Sequence, residues 1–437
     1  MRSRAARFLT VSFVSDLFSV LRHRSFRFLW FAQSIIGEGV VIVALALYVT
    51  QLTGDARDVG LVLAAGAIPL VTFTLLGGVW GDRLPRVRVM MATDLVRFAA
   101  HITLAALIAF GEPQVWQIAA IEAIYSVAEA FFRPAATGLM PQTVPEAEIQ
   151  QAAALMTTVS NVAELTGPAM ATILVLGVGA SAAFALDALT FLASAAFLTQ
   201  VDARTRGVAD VSSARERPSL WDDLRDGFRE VRSRAWVWVT LVAFSVALFC
   251  ALAPEFVLGP SVAREQYGHI GVYGLWAAAL GAGTIAGSLV GIRWRPRHPM
   301  RMAMILAATW PLAGVLFGAG LPLALVLPAT VAAGAAISLF DVWWMTAQGE
   351  RIPPDRLSRV SSFDWAISIG LLPAGYVLAG PLADAVGAVE VLIAGSLIAS
   401  LALALSLIPR EIRMLERIDH PPGEPSELRD LPRLPNP

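Results

Sequence analysis

Lysine is missing from this chain of 437 residues; all 33 of its basic residues are arginines. A Walker-type nucleotide loop needs a lysine against the phosphates, so a self-contained ATP-driven pump is excluded. Cysteine is nearly missing too. Cys250 stands alone, so no disulfide and no cysteine metal site can form within the chain, and it reads as a small core residue. There is no His-Glu-x-x-His, no Gly-x-Ser-x-Gly and no Cys/His cluster, which leaves metalloprotease and serine-hydrolase chemistry without a carrier. No soluble catalytic domain stands out, and the reading is of a protein that is not an enzyme, with no cofactor and no metal. Charge of either sign is scarce. Charged residues make up 15% of the chain, against about 25% in a soluble domain. The net charge of −1 and pI of about 6.5 offer no basic surface to nucleic acid.

What fills the sequence instead is apolar. Hydrophobic residues make up 56%, and the mean hydropathy is +0.64. A helix crossing a bilayer takes about 20 apolar residues. Twelve such runs follow one another, at 26–52, 59–81, 89–110, 115–139, 152–177, 181–200, 236–260, 271–292, 301–319, 322–347, 361–382 and 387–408, here spans 1 to 12. The runs are too long for strands and lack the alternation of a barrel. In lipid a backbone must satisfy its own hydrogen bonds, so the spans are helices. The fold class is an all-α integral membrane protein.

The arginines are sorted by loop. They cluster before span 1, after spans 2, 8 and 10, between spans 6 and 7, and after span 12. The opposite loops hold only Arg57 and Arg264. This is the positive-inside pattern. It places both termini and the 201–235 linker in the cytoplasm of a multi-pass cell-membrane protein, in keeping with an even number of spans. Residues 1–25 do not read as a signal peptide: Asp16 interrupts the apolar stretch and Arg22, Arg24 and Arg27 follow it. Phe8, Val11, Val14, Phe18 and Leu21 would share one face of an amphipathic helix at the inner leaflet; a loosely ordered tail is the alternative. Residues 409–437 read as a disordered cytoplasmic tail.

The linker divides the spans into 26–200 and 236–408, and a repeat runs across it. "RSFRFLW" from Arg24 aligns with "RSRAWVW" from Arg232, "VPEAEI" from Val144 with "IPPDRL" from Ile352, and Gly167 with Gly375. Two pseudo-symmetric six-helix bundles joined by a linker form a transporter layout, with the substrate between them near mid-membrane. Within the linker, "LWDDLRDGFREVRS" reads as a short surface helix.

The loop after span 2 reads "GGVWGDRLPRVRVM". Gly78, Asp82, Arg83, Arg86 and Arg88 resemble the loop 2–3 signature of the major facilitator superfamily, with Pro85 where a Gly is usual. "FFRPAATGLMPQTVP" after span 4, "TGPAMATI" in span 5 and "TAQGERIPPDRLSRVSS" after span 10 are similar to the branch of enterobactin exporters and macrolide-efflux proteins. The antiporter motif of span 5 is reduced here to Gly167 and Pro168, with Ala163, Ala171 and Thr172 in place of its other members. The resemblance implies the major facilitator fold, alternating access, a central cavity lined by spans 1, 4, 7 and 10, and a conformational-switch role for the loop after span 2, in which Asp82 links the halves near the start of span 11.

Ionisable groups inside a membrane cost free energy and mark pathways or pairs. Glu38 lies near the middle of span 1, on a stripe with Gln33 and Ser34, and the resemblance implies an acidic residue after Gly37. It is the leading proton-coupling candidate; a structural hydrogen bond to a neighbouring helix is the alternative. Glu122, Tyr125 and Glu129 share one face of span 4. Glu122 and Glu129 are further coupling candidates, although Glu129 could pair with Arg133 or brace the Arg86/Arg88 loop. Glu164, on a face of span 5 with Asn161 and Pro168, is another. Asp94 and Arg97 read as an intrahelical pair, Asp187 as structural and His101 as packing, with a proton relay as the alternative. In the second half, Asp341 with Trp343 and Trp344, and Asp364 with Trp365, pair carboxylates with aromatic faces that suit lipophilic or cationic ligands. Glu255 reads as a group at the cavity mouth. Together with Gln33, Ser34 and Tyr125 these are the substrate-cavity candidates.

The leading functional reading is a secondary exporter of small amphiphilic molecules (a drug, macrolide or siderophore), driven by proton antiport. Its partners would be that small molecule, protons and the bilayer; it would be monomeric. Uptake or lipid flipping on the same fold is the alternative, and a transport-inactive sensor or assembly factor is the alternative of another class.

Overall fold

The computed structural model describes residues 19–34, 38–81, 84–145, 148–202, 220–352, 360, 363–364 and 366–417. Among them there is no strand. The expectations for residues 1–18, for 203–219 of the linker and for 418–437 of the C-terminal tail fall outside the described residues. The linker's second part is a helix, Leu220–Ser233, as its pattern requires.

Span 1 comprises Arg24–Ser34 and Glu38–Thr53. Spans 2 to 6 are Ala56–Gly81, Arg86–Phe110, Val115–Leu139, Ile149–Gly177 and Ala180–Leu198. Span 7 runs through Ala235–Ala247, a π turn at Leu248–Leu252, and Ala253–Tyr267. Span 8 is Gly271–Arg293. Span 9 divides into Pro299–Ala307 and Leu312–Gly318, with Pro311 at the break removing a backbone donor. Span 10 is Leu323–Arg351, span 11 includes Leu372–Val386, and span 12 is Ala388–Leu405. Ten helices among the described residues are long and apolar enough to cross a membrane. Span 5 and the shorter apolar helix Val41–Thr53 of span 1 bring the series to twelve.

The internal repeat reappears in the packing. Span 2 packs on span 4, span 3 on spans 4 and 6, and span 1 on span 5; in the second half span 8 packs on 10, span 9 on 10 and 12, and span 7 on 11. Adding six to each number converts one set into the other. The bundles meet through spans 2 and 11, 5 and 8, and 1 and 7, which the same rule exchanges.

Both bundles keep their chain ends on one side. Arg24 reaches Gln200 there, Ser25 the backbone of Asp202, and Glu411 the backbone of Trp236. The bundles are sealed together at the opposite side. A side chain on Gly60 of span 2 would collide with the Tyr376 carbonyl of span 11, and one on Gly274 of span 8 would collide with Thr172 of span 5. Glycine is what permits these approaches. An Arg57–Asp384 ion pair adds to the same closure.

Candidate functional site

Between the bundles lies a cavity of about 780 Å³, within the range of small-molecule sites. It begins beneath the seal, at Val62 and Tyr376, and extends to Thr137 and Met140 near the side that carries the chain ends. Spans 1, 2, 4 and 5 supply most of its wall. The second half supplies Leu252, Phe256, Ile369, Leu372, Pro373 and Tyr376. Span 10 supplies no residue among those described, so spans 2, 5 and 11 complete a lining expected from spans 1, 4, 7 and 10.

The charge in this wall comes from span 4. Glu122, Tyr125 and Glu129 recur at helical spacing and all three reach the cavity, as does Ser126. Arg133, one turn beyond Glu129, donates from Nε to Glu129 Oε1 at 3.1 Å. Glu129 is therefore the acid of an intrahelical pair. Arg86 of the loop after span 2 donates to the Gly138 carbonyl at the end of span 4, while Arg88 is exposed. Gln33 lines the cavity. Ser34 turns back on its own helix, donating to the Trp30 carbonyl at 2.6 Å.

Glu122 sits between the cavity and a polar cluster inside the first bundle. Its Oε1 lies 3.4 Å from His101 Nε2, in ion-pair range but not aligned as a hydrogen bond. On the far side of the imidazole, Nδ1 donates to Asp187 Oδ2 at 2.6 Å. Tyr125 stacks parallel to the ring with centroids 4.3 Å apart. Along span 3, Asp94 is bound by Arg97 and by Ser194 Oγ at 2.7 Å, and Arg97 lies over the rings of Phe132 and Phe191. His101 is thus a bonded member of a charge cluster, where packing was expected. The sequence held one clue: Asp94, Arg97 and His101 fall on a single face of span 3.

The polar groups of the second half stand elsewhere. Glu255 is buried away from the cavity, next to Gly314 of span 9 and Ser396 of span 12; its neighbour Phe256 faces the cavity. Asp341 is on an exposed part of span 10. Trp343 and Trp344 are buried within their own bundle, and Trp343 donates to the Trp294 carbonyl at 3.2 Å. Asp364 accepts from Trp344 at 2.7 Å, Gln348 at 2.9 Å and Ser368 at 3.2 Å, clasping spans 10 and 11. None of these five lines the cavity: span 10 turns its two tryptophans into the bundle, Asp364 is held against them, and Glu255 points toward spans 9 and 12. Asp82, Arg83 and Trp365 lie outside the described residues, as do the side chains of Glu38, Glu164 and Pro168. Gly78 and Gly167 are placed within helices, and Gly167 is buried.

Residues 15–430 match the profile of a family described as transmembrane secretion effector. The chain is 24% identical over 393 residues to macrolide efflux protein A of Streptococcus pyogenes, covering 88% of this chain and 95% of that protein. It is 28% identical over 373 residues to the multidrug efflux pump Tap of Mycolicibacterium fortuitum, covering 80% and 87%. Among solved structures, the nucleoside transporter NupG superposes with a TM-score of 0.62 at 16% identity, covering 90% and 99% of the two chains. A bacterial homologue of the human lysosomal transporter Spinster, inward-facing and unoccupied, superposes with a TM-score of 0.66 at 14% identity, covering 92% and 99%.

Proposed function

Because the chain belongs to the transmembrane secretion effector family, a branch of the major facilitator superfamily of membrane transporters, we propose that it is a proton-coupled exporter of small amphiphilic molecules, among them lipophilic cations. The observation that carries this reading is the cavity between the bundles, sealed on one side and lined mostly by apolar groups with Glu122 on its wall. Tyr125, Phe132, Phe256 and Tyr376 give an amphiphile aromatic surface, and a carboxylate beside such faces favours a cationic head. With the chain ends in the cytoplasm, as the arginine pattern indicates, the seal at Gly60 and Gly274 faces outward and the cavity loads from inside. Breaking that seal while closing the other end completes alternating access. The relatives named as macrolide and multidrug efflux proteins agree with this substrate class and direction. Proton coupling draws on Glu122 and Glu129, with Glu38 and Glu164 as candidates on neighbouring spans.

The test is accumulation of a macrolide and of ethidium in an efflux-deficient bacterial host carrying the full chain. The expected result is a severalfold lower steady-state level of at least one probe, abolished by a protonophore. Raised accumulation would replace export with uptake. Lowered accumulation that a protonophore leaves unchanged would remove proton coupling, and equal accumulation of both probes would remove the substrate class.

A further inference from the structure

We propose that Asp187, His101 and Glu122 form a proton relay inside the first bundle, in which Glu122 exchanges protons with the cavity and His101 holds them out of it. The proposal rests on the exporter reading above and assigns the coupling proton to named atoms.

The geometry has a direction. Glu122 is the member that lines the cavity, whereas His101 and Asp187 do not. Asp187 fixes the imidazole by accepting from Nδ1 at 2.6 Å. That bond turns the other nitrogen, Nε2, toward Glu122 Oε1 at 3.4 Å. An imidazole oriented by a carboxylate at one nitrogen presents the other as the working position. The transfer is a single proton exchange: the Glu122 O–H bond breaks, an Nε2–H bond forms on His101, and the Glu122 carboxylate is left facing the cavity. The reverse step returns the proton. Rotation of the Glu122 side chain closes the remaining gap, while Tyr125, stacked on the ring, keeps the imidazole plane fixed.

The charge count requires such a proton. Span 3 packs on spans 4 and 6. Among the described residues, the charged and titratable groups around His101 are Glu122 and Tyr125 from span 4, Asp187 from span 6, and Arg97 with Asp94 from its own helix. Arg97 and Asp94 neutralise each other. What remains is two carboxylates and one imidazole, all buried. An imidazolium cancels one carboxylate and leaves a net negative charge in a low-dielectric wall, an arrangement that burial penalises. One further proton neutralises the cluster, and so does a cationic ligand placed against Glu122 from the cavity. Proton and ligand therefore compete for the same negative charge, which links their binding reciprocally.

The experiment uses the full chain, purified in detergent with 15N-labelled histidine. The His101 signals are identified by their loss in His101→Asn. The expected result is that the His101 titration seen by NMR shifts by about one pH unit or more in Glu122→Gln and in Asp187→Asn, the size of strongly coupled sites. A His101 signal that does not respond to Glu122→Gln overturns the relay. A second arm measures ethidium movement in proteoliposomes. His101→Asn keeps an amide N–H where Nδ1 meets Asp187 and removes Nε2 together with the rest of the ring. It should lower the ratio of pH-gradient-driven to gradient-free ethidium flux at least tenfold; an unchanged ratio, with both rates falling together, assigns His101 a structural role and overturns the relay. If the wild-type protein moves no ethidium, the ethidium arm of the exporter reading fails, while the NMR arm still decides the relay.

Discussion

The two bundles share a packing plan but place charge in opposite ways. In the first, Asp94, Arg97 and Ser194 are joined, His101 joins Asp187 to Glu122, and Glu122 opens onto the cavity. In the second, Asp364 is held by three donors from spans 10 and 11, and Glu255 is buried with neither oxygen hydrogen-bonded among the described residues. Neither reaches the cavity. The second bundle offers it an apolar and aromatic wall. Repetition of a fold thus fixes which helices touch while leaving each half free to specialise: one side of the cavity carries charge and the other carries grease.

This contrast can be broken most severely at Arg97. Arg97→Ala leaves Asp94 buried without its cation, a loss on the order of 3–5 kcal/mol for a broken buried pair. Fluorescence-detected size-exclusion chromatography should show collapse of the folded peak, and adding Asp94→Asn should restore most of it. In the second bundle, Asp364→Ala strands the Trp344 and Gln348 donors, at a cost of about 1–3 kcal/mol. Thermal unfolding in detergent should register a clear fall in midpoint, with cavity binding of ethidium retained. Glu255→Gln is nearly isosteric and breaks no bond, so its effect should stay below about 1.5 kcal/mol; a larger loss of thermal stability would mean that Glu255 has a partner and that the contrast between the bundles is too strong. The smallest effect belongs to the seal that joins them. Arg57 and Asp384 are half exposed, and such pairs contribute about 0.2–1 kcal/mol. In a chain with Cys250→Ser and a cavity reporter introduced as Ala67→Cys, Arg57→Ala should raise labelling from the sealed side only a fewfold.

Much of this architecture is legible in the chain. Long apolar runs give the spans, because lipid leaves a backbone no other way to satisfy its hydrogen bonds. A period of 3.6 gives the shared face of Glu122, Tyr125 and Glu129. Pairing between helices is another matter. His101 and Asp187 are 86 residues apart, and nothing in either local pattern announces that spans 3 and 6 bring them within hydrogen-bond distance. Rotation about a helix axis is equally silent in nearly uniform apolar sequence. Trp343 and Trp344 look like ligand faces beside Asp341, yet span 10 turns both inward, where Trp344 binds Asp364 across the bundle.

Span 7 carries a further consequence in its π turn. The turn at Leu248–Leu252 closes with the Ala253 N–H donating to the Leu248 carbonyl. It absorbs one residue more than an α turn over the same length of axis. Every side chain beyond it is set back by one position, a rotation of about 100°. Phe256 therefore occupies the azimuth that an uninterrupted helix would give to Glu255. A single surplus residue in mid-span decides whether the second bundle shows the cavity a phenyl ring or an acid.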